Sequence, residues 1–145
     1  MAETLGMLCD KLTIVKLKQY HTDDKERLES LGNQALQLQE EINDYVADAV
    51  NKIIPTEKLT FKANKVFKKE GNETRNITGN IGDIFSQLAD INCRLWHEVE
   101  KGYDIENAPL EEKDKIVKML AVLNLERNKC IDAIDSHFLN LILAK

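Results

Sequence analysis

TLGMLCDKLTIVKLKQYH at 4–21 and NIGDIFSQLADINCRLWH at 80–97 are the two stretches whose reading decides the fold. Each residue of the first pairs with one 76 positions further on. Gly6/Gly82, Leu12/Leu88 and His21/His97 are identical, and Leu5/Ile81, Leu8/Ile84, Val15/Ile91, Lys18/Arg94 and Tyr20/Trp96 are conservative. The apolar members recur at three- and four-residue steps, the spacing of one face of an α-helix. Thr4 and Asn80 precede the two stripes, where a side-chain oxygen accepts from a free backbone N–H of the first turn. A second block repeats at a shift of 85, with Leu38/Leu123, Glu41/Glu126 and Asn43/Asn128 identical and Leu31/Ile116 and Val46/Ile131 similar. The shift changes only across GYDIENAPL at 102–110, where a loop belongs. Duplication of a helical hairpin accounts for both blocks. The competing reading is two unrelated amphipathic hairpins that share a helical period.

Outward from these stripes, a second helix opens at Asp23 with Glu26 completing a capping box. Its seam runs Leu31, Ala35, Leu38, Ile42, Tyr45, Ala49, a heptad-like pattern. Gly32 costs about 1 kcal/mol relative to Ala, which leaves both a break there and an unbroken helix open. The last helix opens near Pro109, with Glu111 and Glu112 complementing its dipole, and its seam is Ile116, Leu120, Leu123, Cys130, Ile134, Phe138. Between the hairpins Pro55 ends a helix, and Leu59, Phe61 and Ala63 alternate with polar residues, as in a short strand or extended crossover. From Lys52 to Arg75 seven basic residues face three acidic ones, so this segment is electropositive in a chain of net charge −5. The chain therefore reads as all-α and as one domain over 1–145. The predicted architecture is an antiparallel four-helix bundle of two duplicated hairpins, 4–54 and 80–143, joined by an extended basic crossover at 55–79.

Composition narrows the function. With 145 residues, 6 Gly and 2 Pro, the chain is long enough for a real core and too poor in turn formers for an all-β fold. No apolar run approaches the ~20 residues of a membrane span, and the N-terminus lacks a secretory pattern, which predicts a cytoplasmic protein without membrane partners. An overall negative charge argues against general nucleic-acid binding. Cys9, Cys93 and Cys130 form no CxxC pair and are odd in number, which fits packed thiols in a reducing compartment. Asn72 and Asn76 match a glycosylation triplet that has no meaning there.

The chemistry concentrates where each first helix ends. Beyond Val15 and Ile91 come a cation (Lys18, Arg94), an aromatic (Tyr20, Trp96) and a histidine (His21, His97). A guanidinium grips planar anions, an indole offers a stacking face and an imidazole exchanges protons near neutral pH. Together they suit a nucleotide or another flat anion; the plainer role is a cationic helix terminus with an aromatic lid on the core. Asn43 and Asn128 form the next repeated pair, and Asn43 interrupts an apolar column, lying seven residues from both Leu36 and Val50. A buried amide there bonds a neighbouring helix or the ligand. Catalytic templates fail: the sequence has no glycine-rich phosphate loop, GxSxG, HExxH or zinc spacing. His21, His97 and His137 with Glu98, Glu126 and Asp132 lack the Glu-x-x-His pair of carboxylate-bridged di-iron bundles. Cys93 and His97 stand at i,i+4, but Cys93 aligns with Leu17 and reads as packing. Glu126, Asp132 and Asp135 resemble the Mg2+-holding carboxylates of all-α nucleoside-triphosphate pyrophosphohydrolases, without the twin ExxE partner.

LGMLCDKLTIVKLKQYH and LWHEVE…LNLERNKCIDAID resemble a loosely defined group of uncharacterised small helical proteins of bacteria and their phages. The shared elements are the Asp-Lys-Leu-Thr-Ile start (Asp10–Ile14), the aromatic-His pair (Trp96, His97) and the Leu-Asn-x-Glu-Arg-Asn run (Leu123–Asn128). The resemblance implies a helical fold and no particular activity. The reading that follows is a non-catalytic binding protein for a small anionic, nucleotide-like ligand, without cofactor or metal. Its site is formed by Arg94, Trp96, His97, Lys18, Tyr20, His21, Asn43 and Asn128, and the basic stretch Lys62–Lys69 closes over it. A phage sponge that sequesters a nucleotide immune signal is one biological form of this, by analogy. The alternatives are a Mg2+-dependent nucleotide pyrophosphohydrolase and a helix-mediated interaction adaptor. The terminal HFLNLILAK is too apolar for one helix face, which predicts self-association through the tail.

Overall fold

The computed structural model describes residues 3–61, 74 and 76–144, and the regular elements among them are helical. They are α1 (Leu5–His21), α2 (Lys25–Val50), α3 (Ile81–Tyr103) and α4 (Leu110–Leu143), with 3-10 turns at Thr56–Lys58 and Ile105–Asn107. Thr4 caps α1, its hydroxyl accepting from Met7 N–H at 3.4 Å, and Asn80 opens α3, its backbone N–H donating to the Asp83 carboxylate at 2.9 Å. Pro109 precedes α4, where its missing N–H costs nothing.

One local expectation is corrected, and two alternatives left open by the sequence are decided among the described residues. The cap of α2 is Asp24, whose carboxylate accepts from Glu26 N–H at 3.0 Å and Arg27 N–H at 3.4 Å. The one-residue difference arises because Thr22 Oγ1 accepts from Asp24 N–H at 3.3 Å, tightening the connection from α1. α2 runs through Gly32 without a break, because Leu31, Ala35 and Leu38 on its packed face hold the turns on either side against α1. No strand forms among the described residues: after Pro55 the chain enters a 3-10 turn that plants Leu59 wholly in the core. The rest of the basic crossover, including Lys62–Lys69, lies outside the described residues.

α1 packs against each of the other helices, α3 packs along α4, and α2 lies chiefly on α1. The main apolar cluster joins Leu5 and Cys9 of α1 to Leu88 and Ile91 of α3 and to Leu123, Cys130, Ile134 and Phe138 of α4. Leu8, Val15, Ala35 and Leu38 form a smaller one between α1 and α2. Burial of such side chains is worth roughly 1.5–3 kcal/mol each, and these two clusters set the register of the helices. Because α2 has one principal neighbour, only a narrow seam of it is covered. Leu36 is 60% exposed and Val50 37%, so the column holding Asn43 faces outward and Asn43 is exposed rather than a buried amide.

α1 approaches α4 at Gly6. A Cβ there would lie 2.5 Å from the Ile131 carbonyl oxygen and 3.0 Å from Asp135 Oδ1, whereas a Cβ at Gly82 would meet nothing within 4 Å. The paired glycines therefore do different things. In the tail, Phe138 and Ile142 enter the chain's own core while Leu141 and Leu143 remain exposed. The apolar excess assigned to a partner copy shrinks to those two leucines. Among the described residues no helix is long and apolar enough to cross a membrane.

Candidate functional site

The ends of α1 and α3 meet. His21 stacks on Trp96 with ring centroids 4.7 Å apart and planes 22° from parallel, and the His97 ring lies 5.9 Å from His21 at 74°. Tyr20 touches the edge of His21 at 5.2 Å but is 85% exposed. Two further bonds fix the cluster: His21 Nδ1 is 2.8 Å from the Leu17 carbonyl oxygen, and Trp96 Nε1–H donates to Glu100 Oε1 at 2.6 Å. A carbonyl only accepts, so Nδ1 of His21 carries the proton.

Beside this stack opens a cleft of about 420 Å³, lined by Lys18, His21 and Thr22 from the end of α1, Arg27, Ser30 and Leu31 from the start of α2, and Trp96 from α3. Two permanent cations, an imidazole and two hydroxyls thus face one space, and no carboxylate is among its lining residues. Its volume lies within the range of small-molecule sites. Lys18 and His21 share a face of α1 because they are three residues apart.

Of the residues predicted from sequence, Lys18, His21 and Trp96 line this cleft, and His97 stands next to it against His21. Arg94 does not join them; it is exposed and lines no described cavity. A spacing of two residues turns Arg94 about 200° from Trp96 around the helix, so the guanidinium of the cleft is instead that of Arg27. Asn43 points outward from α2, and Asn128 is half-buried on α4 away from the cleft lining.

A second, more apolar cavity of about 270 Å³ also meets Trp96; residues of α1, α3 and α4 line it, Asn92 and Arg127 among them. There the sequence reading missed a buried polar cluster. Asp10, 4% exposed, accepts from Asn92 Nδ2 at 2.9 Å and from Arg127 Nε at 2.8 Å, and Arg127 Nη2 closes the fork on its other oxygen. Asn92 also donates to Thr13 Oγ1 at 2.7 Å, and Thr13 donates to the Asp10 carbonyl at 2.7 Å. This network ties three helices together, and the Asp10 bond pushes the Arg127 pKa above its already high ordinary value despite burial. No spacing within one helix signals it, because Asp10 and Arg127 lie 117 positions apart.

The acidic string on α4 is built into the packing. Glu126 and Asp135 are buried, and Asp135 Oδ1 accepts from Gly6 N–H at 2.7 Å. The carboxylate thereby supplies the negative charge that the first turn of α1 lacks. Burial raises its pKa from 3.8 to about 6, with the Thr4 and Gly6 hydrogen bonds opposing the rise and nearby Asp132 adding to it. Cys9 packs beside it, its thiol pushed up to about 11 by burial first and then by the charges of Asp135 and Asp10. Compared with protein-family models, curated proteins and solved structures, the chain matches none of them.

Proposed function

We propose that this protein binds a small anionic, nucleotide-like molecule in the cleft between the end of α1, the start of α2 and Trp96, without transforming it. The observation that carries the reading is the lining itself: Lys18, Arg27 and His21 converge on one space beside an indole, with no carboxylate among the lining residues. Anionic groups meet the two cations, of which Arg27 offers the planar fork suited to phosphate. A flat ring meets the His21–Trp96 stack as a unit, since the imidazole already covers part of the indole. The antiparallel, duplicated-hairpin architecture belongs to the same proposal. It is supported by the matching caps at Thr4 and Asn80 and by the approach of His21 to its repeat counterpart His97.

Calorimetry with linear and cyclic nucleotides tests it, in buffer freed of metal by a chelator. Arg27→Ala removes a hydrogen bond to a charged group, worth roughly 1.5–3 kcal/mol, and is expected to weaken binding about ten- to a hundredfold. Arg94→Ala is expected to change little. Binding should also weaken with salt, since exposed charges are screened over about 10 Å at 0.1 M. Absence of binding across the panel, or loss on Arg94→Ala with Arg27→Ala unaffected, refutes the assignment.

A further inference from the structure

The polar groups around Trp96 include three that do not all belong to the anion cleft. His97 and Glu100 stand three residues apart on α3, and His21 ends α1 opposite them. Among the described residues these three offer ligand atoms that all lie within 4.8 Å of one another, and all three are exposed. Coordination at about 2.0–2.2 Å draws such atoms to about 3.3 Å apart, and exposed side chains close that gap by small rotations.

Proximity of exposed groups alone would carry nothing; two hydrogen bonds give it weight. A metal-bound imidazole donates its other N–H to a carbonyl or carboxylate, and a ligating carboxylate is itself hydrogen-bonded. His21 has the first feature, its Nδ1 bound to the Leu17 carbonyl at 2.8 Å, which leaves Nε2 as the nitrogen free to coordinate. Glu100 has the second, Oε1 accepting from Trp96 Nε1–H at 2.6 Å, which leaves Oε2 free. Stacking on Trp96 fixes the plane of the His21 ring. Two of the three groups are thus oriented before any ion arrives, by partners on different helices. We infer that His21, His97 and Glu100 form a binding site for a divalent first-row transition metal, with Zn2+ as the reference ion. Two imidazoles and one carboxylate are a borderline donor set that suits Zn2+ over the oxygen-seeking Mg2+, and three protein ligands leave a coordination position open to water.

The site shares His21 with the anion cleft, but His97 and Glu100 do not line that cleft, so variants at these two positions separate metal binding from anion binding. Titration of the metal-free protein with Zn2+ alone, by equilibrium dialysis, should give one saturable site per chain. Titration with Co2+ should quench the fluorescence of Trp96, the single tryptophan. His97→Ala and Glu100→Gln should each weaken Zn2+ binding and raise the Co2+ needed for quenching by at least tenfold, as losing even an outer-shell partner does. Arg27→Ala should leave both unchanged, and Mg2+ in excess should not compete. Both positions are exposed, and unchanged helical circular dichroism verifies that each variant is folded. No saturable Zn2+ binding, or binding that survives both variants unweakened, overturns the assignment whether or not nucleotides bind.

Discussion

Gly6 and Gly82 occupy the same position of the repeated stretch, yet adding one methyl group to each should move stability in opposite directions. At Gly6 the new Cβ would sit 2.5 Å from the carbonyl oxygen of Ile131, a backbone atom of α4 that no rotamer change can move. Relief requires α1 and α4 to separate by several tenths of an ångström, which also stretches the 2.7 Å bond from Gly6 N–H to Asp135. Overpacking of this kind costs about 1–3 kcal/mol, against a helix-propensity gain of at most about 1 kcal/mol. We predict that Gly6→Ala destabilises the fold by up to about 2 kcal/mol, the overpacking cost less the propensity gain. For a chain of this size the upper value is a fall in Tm of roughly 4–8 °C, at about 2–4 °C per kcal/mol. Gly82→Ala meets no atom within 4 Å and should be neutral or stabilising by up to about 1 kcal/mol. Urea midpoints followed by circular dichroism measure both, with unchanged m-values to show that the denatured state is the same. Equal responses of the two variants would mean that α1 and α4 do not approach as closely as described.

Two more predictions concern buried charge. Arg127→Leu strands the Asp10 carboxylate, which is expected to cost about 3 kcal/mol, the low end for a broken buried pair because Arg127 is partly exposed; the double variant Asp10→Leu/Arg127→Leu should cost less than that single change, and a larger cost would contradict the pairing. Asp135 has a raised folded pKa of about 6 against 3.8, so between these values the folded state holds the proton more readily than the unfolded one. Stability from this group is therefore fully present below about pH 4 and is lost as pH rises towards 6, by an amount on the order of 3 kcal/mol. Asp135→Asn should remove that pH dependence and be the more stable protein at pH 7, as denaturant midpoints across pH 4–7 will show; a wild-type difference that does not change with pH refutes the assignment.

The helices were legible in the sequence because they follow from an apolar period, which is local information. Arg27 was not, since its entry into the cleft depends on how Thr22–Asp24 turns α2 back along α1. Arg94 was misplaced by taking closeness in sequence for closeness on a helix, although two residues span more than half a turn. Asn43 was misread for a related reason: a seven-residue apolar column predicts burial only where a second helix covers it, and Leu36 and Val50 are themselves exposed. The Asp10–Arg127 fork joins residues 117 positions apart, a pairing that no periodicity within one helix announces.

That separation also sets an order of events in synthesis. α1 leaves the ribosome before the other three described helices, but two groups that settle its buried polar atoms follow much later: Arg127 for Asp10, and Asp135, 129 positions on, for Gly6. At a translation rate of about 5–20 residues per second the wait is on the order of ten seconds. During it first α2 and then α3 become available to shield α1. Contacts this distant in sequence slow the final docking relative to bundles closed by neighbouring helices. A chain cut short before Arg127 keeps a first helix with an acid facing the core and no base to meet it, so the unfinished product carries its own mark of incompleteness.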